Sequence, residues 1–271
     1  MLAAVVQLSS NLEIQRNLDA ASQHIAAAAS AGANLVVLPE VYNRRGGPAA
    51  REFAEDIHGL SRCWASQQAQ EHRIFLVAGS MLEKDGSAVY NTSLLFGPQG
   101  ELLARYRKIH LFDLDLPDTK CRESDSVAAG GEVVTAVLQL SGEQSIGLGL
   151  TICYDLRFAG LFEKLTTLGA RIITVPSAFT EKTGRDHWEV LLRARAIENQ
   201  VFILAANQFG TVAGTPTSYG RSMIIDPWGT VLAQAADGEG FAIAVLDLEK
   251  QLQIRQNLPC LQHRRNDLYR G

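Results

Sequence analysis

The chain has 271 residues, with 25 Lys and Arg against 29 Asp and Glu and a formal net charge of -4. The longest basic cluster is His263-Arg264-Arg265, so a general polyanion binder, which relies on clustered cations and counterion release, is excluded and no nucleic acid is expected as a partner. With 46% hydrophobic and 20% charged residues, disordered, collagen-like and disulfide-scaffold classes drop out, and the length suits one large domain or two small ones.

Met1-Leu2-Ala3-Ala4-Val5-Val6-Gln7 turns polar after one strand length and has no basic leader, so it reads as a strand and a cytoplasmic location is expected. Asn11 to Ala31 places Leu18, Ala21, Ile25 and Ala28 on one helical stripe, ending at Gly32 where a left-handed C-cap suits glycine. The run Leu35-Val36-Val37-Leu38-Pro39 predicts a buried strand that delivers Glu40 at its end. Strands follow at Ile74 to Gly79 and Ser93 to Phe96, then a turn at Gly97-Pro98-Gln99-Gly100 and a strand over Leu102 to Arg107 that ends at Lys108. The stretch from Lys108 to Gly142 is rich in Asp, Ser and Gly and reads as a loop or binding segment rather than core. Ile146 to Ile152 is a strand closed by Cys153, in which Gly147-x-Gly149 lacks the rest of a dinucleotide fingerprint and reads as close packing. Ala170 to Pro176 and Val201 to Ala206 are strands around a helix over Asp186 to Gln200, with Trp188, Leu191, Leu192 and Ile197 on its apolar stripe. Asp226-Pro227-Trp228-Gly229 forms a second hairpin turn. No membrane partner is expected, because even the least charged stretch, Asn199 to Gly220, is broken by Asn, Gln, Thr, Gly and Pro.

Three of these segments occur twice in the same order: Gly32 to Pro39 with Gly169 to Pro176, Ile74 to Gly79 with Val201 to Ala206, and Ser93 to Gly100 with Ser222 to Gly229. Strands alternating with helices give an α/β protein, and two related halves bury their spare apolar faces against each other. The expected fold is therefore an αββα sandwich, two mixed sheets with helices on the outer faces, in one domain over 1–271. The half-repeats run about 1–107 and 143–247, with a C-terminal extension over 248–271.

Glu40, Lys108 and Cys153 all stand at strand ends, where ligands gather in open α/β sheets. A thiol is only slightly ionised near neutrality and needs a base or a cation to act as a nucleophile. Glu40 can take its proton, and Lys108 can hold the charge that develops on an attacked carbonyl oxygen. The competing reading makes Cys153 a small buried hydrophobe and the two charges solvent-facing. Cys63, Cys121 and Cys260 have no comparable setting and read as structural or incidental. Neither the four cysteines nor the six histidines show metal-ligand spacing, so no metal and no cofactor is expected. His110 and His187 read as hydrogen-bonders.

Leu38-Pro39-Glu40, Tyr106-Arg107-Lys108-Ile109-His110-Leu111-Phe112-Asp113 and Ile152-Cys153-Tyr154-Asp155-Leu156-Arg157-Phe158 resemble the three signature blocks of the nitrilase (carbon-nitrogen hydrolase) superfamily, known for a Glu-Lys-Cys trio on an αββα sandwich. The resemblance spans nearly the whole chain. Pro176-Ser177-Ala178-Phe179, the segment His187 to Glu198, Ser218-Tyr219-Gly220 and His263-Arg264-Arg265-x-Asp267-Leu268-Tyr269 resemble the Nit branch of ω-amidases and deaminated glutathione amidases, the last leaning toward the latter. It implies a second glutamate, here Glu123 of Glu123-Ser124, with the deacylating water activated by Glu40 or positioned by Glu123. It also implies an oxyanion contact from the Tyr154 N–H, and Phe179 and Thr183 around an α-keto acid. Arg157, four residues past the nucleophile, is expected to meet the substrate carboxylate; the competing reading is an ion pair with Asp155 or Glu163. Arg44 and Arg45 offer a weaker contact to a far carboxylate. The implied activity is thiol-dependent hydrolysis of deaminated glutathione, a small amide with an α-keto acid end. The alternatives are α-ketoglutaramate as substrate, a nitrile or N-carbamoyl compound, and a non-catalytic binding protein. A homodimer or larger homo-oligomer is implied as well.

Overall fold

Short apolar runs separated by amphipathic helices must find their strand partners through crossover connections. The computed structural model describes residues 1–46, 52–116, 119–140, 142 and 144–269. In chain order these form β1 (Leu2–Gln7), α1 (Ile14–Ser30), β2 (Leu35–Val37), β3 (Glu55–Asp56), α2 (Leu60–His72), β4 (Phe75–Val77), β5 (Met81–Asp85), β6 (Ala88–Phe96) and β7 (Leu102–Arg107). A hairpin of β8 (Asp113–Leu116) and β9 (Thr119–Arg122) precedes β10 (Thr135–Gln139), β11 (Ser145–Leu150), α3 (Ala159–Thr167) and β12 (Ala170–Thr174). The short α4 (Glu181–Thr183) leads to α5 (Glu189–Asn199), β13 (Phe202–Ala205) and the small pair β14 (Phe209–Gly210) and β15 (Ser218–Tyr219). The chain then forms β16 (Met223–Ile225), β17 (Val231–Gln234), β18 (Gly240–Val245), α6 (Leu248–Asn257) and α7 (Asn266–Tyr269).

Two large mixed sheets result. In the first, β1, β2 and β4 are parallel, β18 is antiparallel to β1, β6 is antiparallel to β4, and β7 pairs with β6. In the second, β11, β12 and β13 are parallel, β10 is antiparallel to β11, and β16 and β17 follow antiparallel to β13. The order of parallel and antiparallel partners is the same in both. The edge strands are exchanged, since β18 comes late in the chain yet joins the first sheet, and β10 lies ahead of residue 143.

Alternation along the pleat sets the layers. Ala3, Val5, Leu35, Val37 and Val77 of the first sheet form one cluster with Leu148, Leu150, Ile172 and Ile203 of the second. Their neighbours Ala4, Val6, Val36 and Leu76 face the other way and cluster with Leu18, Ala21, Ile25 and Ala28 of α1 and Ala65 and Ala69 of α2. Phe162 and Leu165 of α3 and Leu192 and Ala196 of α5 pack with the second sheet. The layering is therefore helix, sheet, sheet, helix. Both hairpin turns form as their residues require: the Gly100 N–H donates to the Gly97 carbonyl and the Gly229 N–H to the Asp226 carbonyl, each at 2.9 Å with the fourth residue in the left-handed region. Gly147 is needed for close packing, because a Cβ there would lie 2.2 Å from the Gly169 carbonyl oxygen. Among the described residues no helix is long and apolar enough to cross a membrane.

Two details differ from the sequence reading. The segment from Lys108 to Gly142 is not all loop: it contains the β8–β9 hairpin and β10, whose Leu138 enters the core. The strand signal of β10 is weak because it lies at a sheet edge and its Val137 faces solvent. Ile197 is 50% exposed, since at about 100° per residue it falls on the side of the helix opposite Trp188. The buried face of α5 carries Leu192, Arg195, Ala196 and Asn199 instead.

Candidate active site

Three chain segments leaving strand ends converge in one cavity. Glu40 lies just beyond β2, Lys108 directly follows β7, and Cys153 lies just beyond β11. All three are buried, with Glu40 5%, Lys108 2% and Cys153 7% exposed. Beyond β2 and β4 the backbones approach so closely that a Cβ on Gly79 would lie 1.9 Å from the Pro39 carbonyl oxygen, so that position requires glycine.

Glu40 Oε1 accepts from Lys108 Nζ at 3.0 Å and from Asn91 Nδ2 at 2.8 Å, and Oε2 accepts the Ala178 N–H at 2.8 Å. Lys108 Nζ also donates to Glu123 Oε2 at 2.8 Å; that oxygen takes the Phe112 N–H at 2.7 Å, while Glu123 Oε1 accepts from Asn91 at 3.1 Å. Burial alone would lower the affinity of Lys108 for its proton, but Glu40 and Glu123 outweigh it and hold the ammonium pKa well above its ordinary value. Burial likewise pushes Glu123 up, yet Lys108 and the donors around it bring it below the usual carboxylate value. For Cys153, burial and then the Glu40 charge raise the thiol well above its usual value, against a smaller opposing pull from Lys108. The resting thiol is thus neutral, and ionising it requires passing its proton to a base.

Cys153 has φ +47°, a left-handed conformation disfavoured for a side chain with a Cβ. It opens a tight 3₁₀ turn over Cys153–Arg157 and donates its N–H to the Pro176 carbonyl at 2.8 Å. Asp155 fixes that turn. Its Oδ2 accepts from the Ile152 N–H at 2.9 Å and Tyr106 Oη at 2.6 Å, while Oδ1 takes the His110 N–H at 3.1 Å and lies 2.7 Å from His110 Nδ1. Tyr106 and His110 flank Lys108 in the chain, so one buried carboxylate ties the cysteine turn to the lysine segment. Burial and Asp155 raise the Tyr106 pKa, which keeps its hydroxyl a donor.

Tyr154 is the second residue of the turn, where a backbone N–H has no partner within the turn itself. Its ring packs edge-on to Phe112 at 5.1 Å and Phe158 at 5.4 Å. Arg157 stands over the Phe179 ring at 5.2 Å and lies 3.3–3.4 Å from His187 Nδ1. The expected alternative for Arg157 is overturned: Asp155 is committed to Tyr106, His110 and Ile152, Glu163 pairs with Arg264, and among the described residues no carboxylate pairs with Arg157. Phe179 is buried against Trp188, and Thr183 Oγ1 lies 2.8 Å from Thr180 Oγ1. Arg157, Phe179 and Thr183 line one wall of a cavity of about 350 Å³ that also contains Glu40, Lys108, Glu123, Cys153 and Tyr154. All eight sequence-derived site residues are therefore brought together.

The two arginines after Glu40 separate. Arg45 is buried and donates to the carbonyls of Phe209, Gly210 and Pro216, with its pKa lowered by burial to about 10, so it holds the loop over β14 and β15. Arg44 stays in the cavity wall, stacked 3.3 Å above the Phe53 ring. Cys121, read as incidental, also lines the cavity. Among the described residues no group of His, Cys, Asp and Glu is arranged to hold a metal ion.

The family description carbon-nitrogen hydrolase matches residues 2–256. The chain belongs to the carbon-nitrogen hydrolase family. The mouse (Mus musculus) deaminated glutathione amidase is 41% identical over 99% of this chain and 84% of its own length. The zebrafish (Danio rerio) omega-amidase NIT2 is 39% identical over 98% of this chain and 95% of its own. The crystal structure of the C. elegans NitFhit protein superposes with a TM-score of 0.89 at 36% identity, covering 99% of this chain, which spans 66% of that protein.

In this carbon-nitrogen hydrolase, sequence reasoning missed Asn91, which bridges both glutamates, the Ala178 N–H on Glu40, and Asp155 as the anchor of the turn. Asn91 sits in the apolar-flanked strand β6, and only the pairing of β6 with β7 carries it to Lys108, whose N–H donates to the Asn91 carbonyl at 2.8 Å. The placement of Asp155 did carry a signal, since it lies two residues after the cysteine, within a single tight turn.

Proposed function

We propose that this Nit-branch amidase hydrolyses deaminated glutathione, N-(4-oxoglutaryl)-cysteinylglycine, to α-ketoglutarate and cysteinylglycine. The observation that carries the reading is the charge of the cavity wall. With Arg45 held by loop carbonyls, four cations (Arg44, Lys108, Arg122, Arg157) face two carboxylates (Glu40, Glu123), leaving two positive charges in a protein whose net charge is -4. Such a wall suits a substrate with more than one carboxylate. A cavity of about 350 Å³ also has room for a leaving group larger than ammonia.

In this mechanism Glu40 takes the Cys153 proton as the sulfur attacks the amide carbon, and the oxyanion is met by Lys108 Nζ and the Tyr154 N–H. Glu40 returns the proton to the leaving nitrogen as the C–N bond breaks, giving a thioester and cysteinylglycine. Water, positioned by Glu123 and deprotonated by Glu40, then attacks the thioester; the thiol is released and α-ketoglutarate departs. Arg157 holds the α-keto carboxylate, a task suited to a planar two-pronged cation, with Phe179 and Thr183 beside the chain. The similarity to an omega-amidase favours a second reading, with α-ketoglutaramate as substrate. Release of α-ketoglutarate from the two compounds by the purified protein separates them: a higher kcat/KM for the oxoglutaryl dipeptide is expected, the reverse order selects the omega-amidase reading, and no product from either overturns both.

A further inference from the structure

Within the proposed reaction, the protonating acid fixes the side of the cavity on which the leaving group lies. Glu40 must deliver its proton to the amide nitrogen, so the leaving group departs past the turn that carries Glu40, while the acyl end is the part that Arg157 takes in this reading. That turn continues Val41-Tyr42-Asn43-Arg44-Arg45, closed by the Arg44 N–H donating to the Val41 carbonyl at 3.2 Å. It is pinned on both sides of Arg44. Tyr42 Oη donates to the Ser61 carbonyl at 3.0 Å, Asn43 Nδ2 donates to Glu55 and Ser61 at 2.9 Å, and Arg45 is held by three carbonyls. Arg44 differs from its neighbours. Its guanidinium lies over Phe53 in the cavity wall, and among the described residues no carboxylate pairs with it and its enclosed Nε has no hydrogen-bond partner.

We propose that Arg44, clamped on Phe53, is a specificity-determining residue that binds the terminal carboxylate of a peptide-like leaving group. This deepens the amidase reading and rests on it. A guanidinium in a cavity wall with no counter-ion can take a ligand carboxylate on its terminal nitrogens through charge-assisted bonds. Ring stacking fixes the guanidinium plane before the ligand arrives, which lowers the ordering cost of binding. Arg122 also lines the cavity but is exposed and near Asp113, so it lacks the same preorganisation. A leaving group without a carboxylate gains nothing from Arg44, and the residue therefore separates peptide-like amides from α-ketoglutaramate.

The test compares N-(4-oxoglutaryl)-cysteinylglycine with its C-terminal amide and with α-ketoglutaramate, on wild-type protein and Arg44→Gln. The expected result is a fall of about 10- to 100-fold in kcat/KM for the acid substrate, mainly through KM. The ratio of acid substrate to α-ketoglutaramate should fall with it, the wild-type protein should show a similar loss on the amide, and the two losses should not multiply. Equal wild-type kcat/KM for acid and amide overturns the proposal without reference to any variant's folding, as does a selective loss that follows Arg122→Gln instead. Calorimetric titration with cysteinylglycine itself separates this proposal from the amidase reading. Binding that weakens at least about tenfold in Arg44→Gln, in a protein that hydrolyses neither compound, sinks the amidase reading and keeps the subsite. Equal binding to both proteins sinks the subsite.

Discussion

Lys108 and Arg157 line the same cavity and are built in opposite ways. Lys108 is enclosed by Glu40 and Glu123, with both ion pairs at 2.8–3.0 Å and its charge locked on. Arg157 rests on aromatic rings and a histidine nitrogen, with no carboxylate among the described residues. A cation already neutralised by two carboxylates adds little attraction for an anion arriving from water, but it can respond to charge that develops beside it during a reaction. A cation left without a counter-ion attracts the anion itself. On the proposed mechanism the difference assigns the Lys108 side to bond making and the Arg157 side to recognition, and the two should then fail in different ways.

The largest effect should come from the thiol that both regions serve. Cys153→Ser is expected to lower turnover by about 10⁴-fold or more while leaving substrate binding through Arg157 in place. Steady-state release of α-ketoglutarate and calorimetric titration of the variant check both halves. A variant that loses binding as well as turnover would break the division between the two sides.

Lys108→Met should reduce kcat by about 10²- to 10³-fold, as for loss of one oxyanion donor. It should also cost about 3–5 kcal/mol of stability, because the buried Glu40 and Glu123 lose their shared counter-charge. Denaturant unfolding alongside single-turnover kinetics reads both numbers. Arg157→Gln should instead raise KM about 10- to 100-fold with a smaller change in kcat and little change in stability, since no buried carboxylate depends on it. If Arg157→Gln destabilises the fold as much as Lys108→Met does, the contrast between the two cations is wrong.

The layers and most of the strands were legible because they depend on local pattern. The stripe Leu18, Ala21, Ile25, Ala28 lies against the first sheet as its spacing requires, and both Pro- and Gly-containing turns form where their residues stand. The trio was legible for a related reason: each member ends or follows a strand, and strand ends are visible in sequence. The rest depends on sequence-distant pairing. Asn91 reaches Glu40 and Glu123 only because β6 lies between β4 and β7, and the Ala178 N–H reaches Glu40 from 138 residues away across the two sheets. No local periodicity encodes such meetings. The edge strand β10 escaped notice for the opposite reason, since one buried residue, Leu138, is too few to raise a hydrophobic signal.

The smallest expected effect isolates Glu123, the carboxylate that sharpens the Lys108 side. One of its oxygens accepts from Lys108 and the Phe112 N–H and the other from Asn91, so in Glu123→Gln the new NH₂ must face a donor whichever way the amide turns. The variant should lose about 1–3 kcal/mol at neutral pH. Because the folded-state pKa of Glu123 lies below its ordinary value of 4.5, its contribution is complete above about that pH and is lost as pH falls through the lower folded value. The stability gap between wild type and Glu123→Gln should therefore be constant from about pH 6 to 8 and shrink below pH 4.5, measured by denaturant unfolding at each pH. Other carboxylates titrate in both proteins and cancel in the difference. A gap that stays constant into strong acid would mean that Glu123 acts through packing alone, and the enclosure of Lys108 would then rest on Glu40.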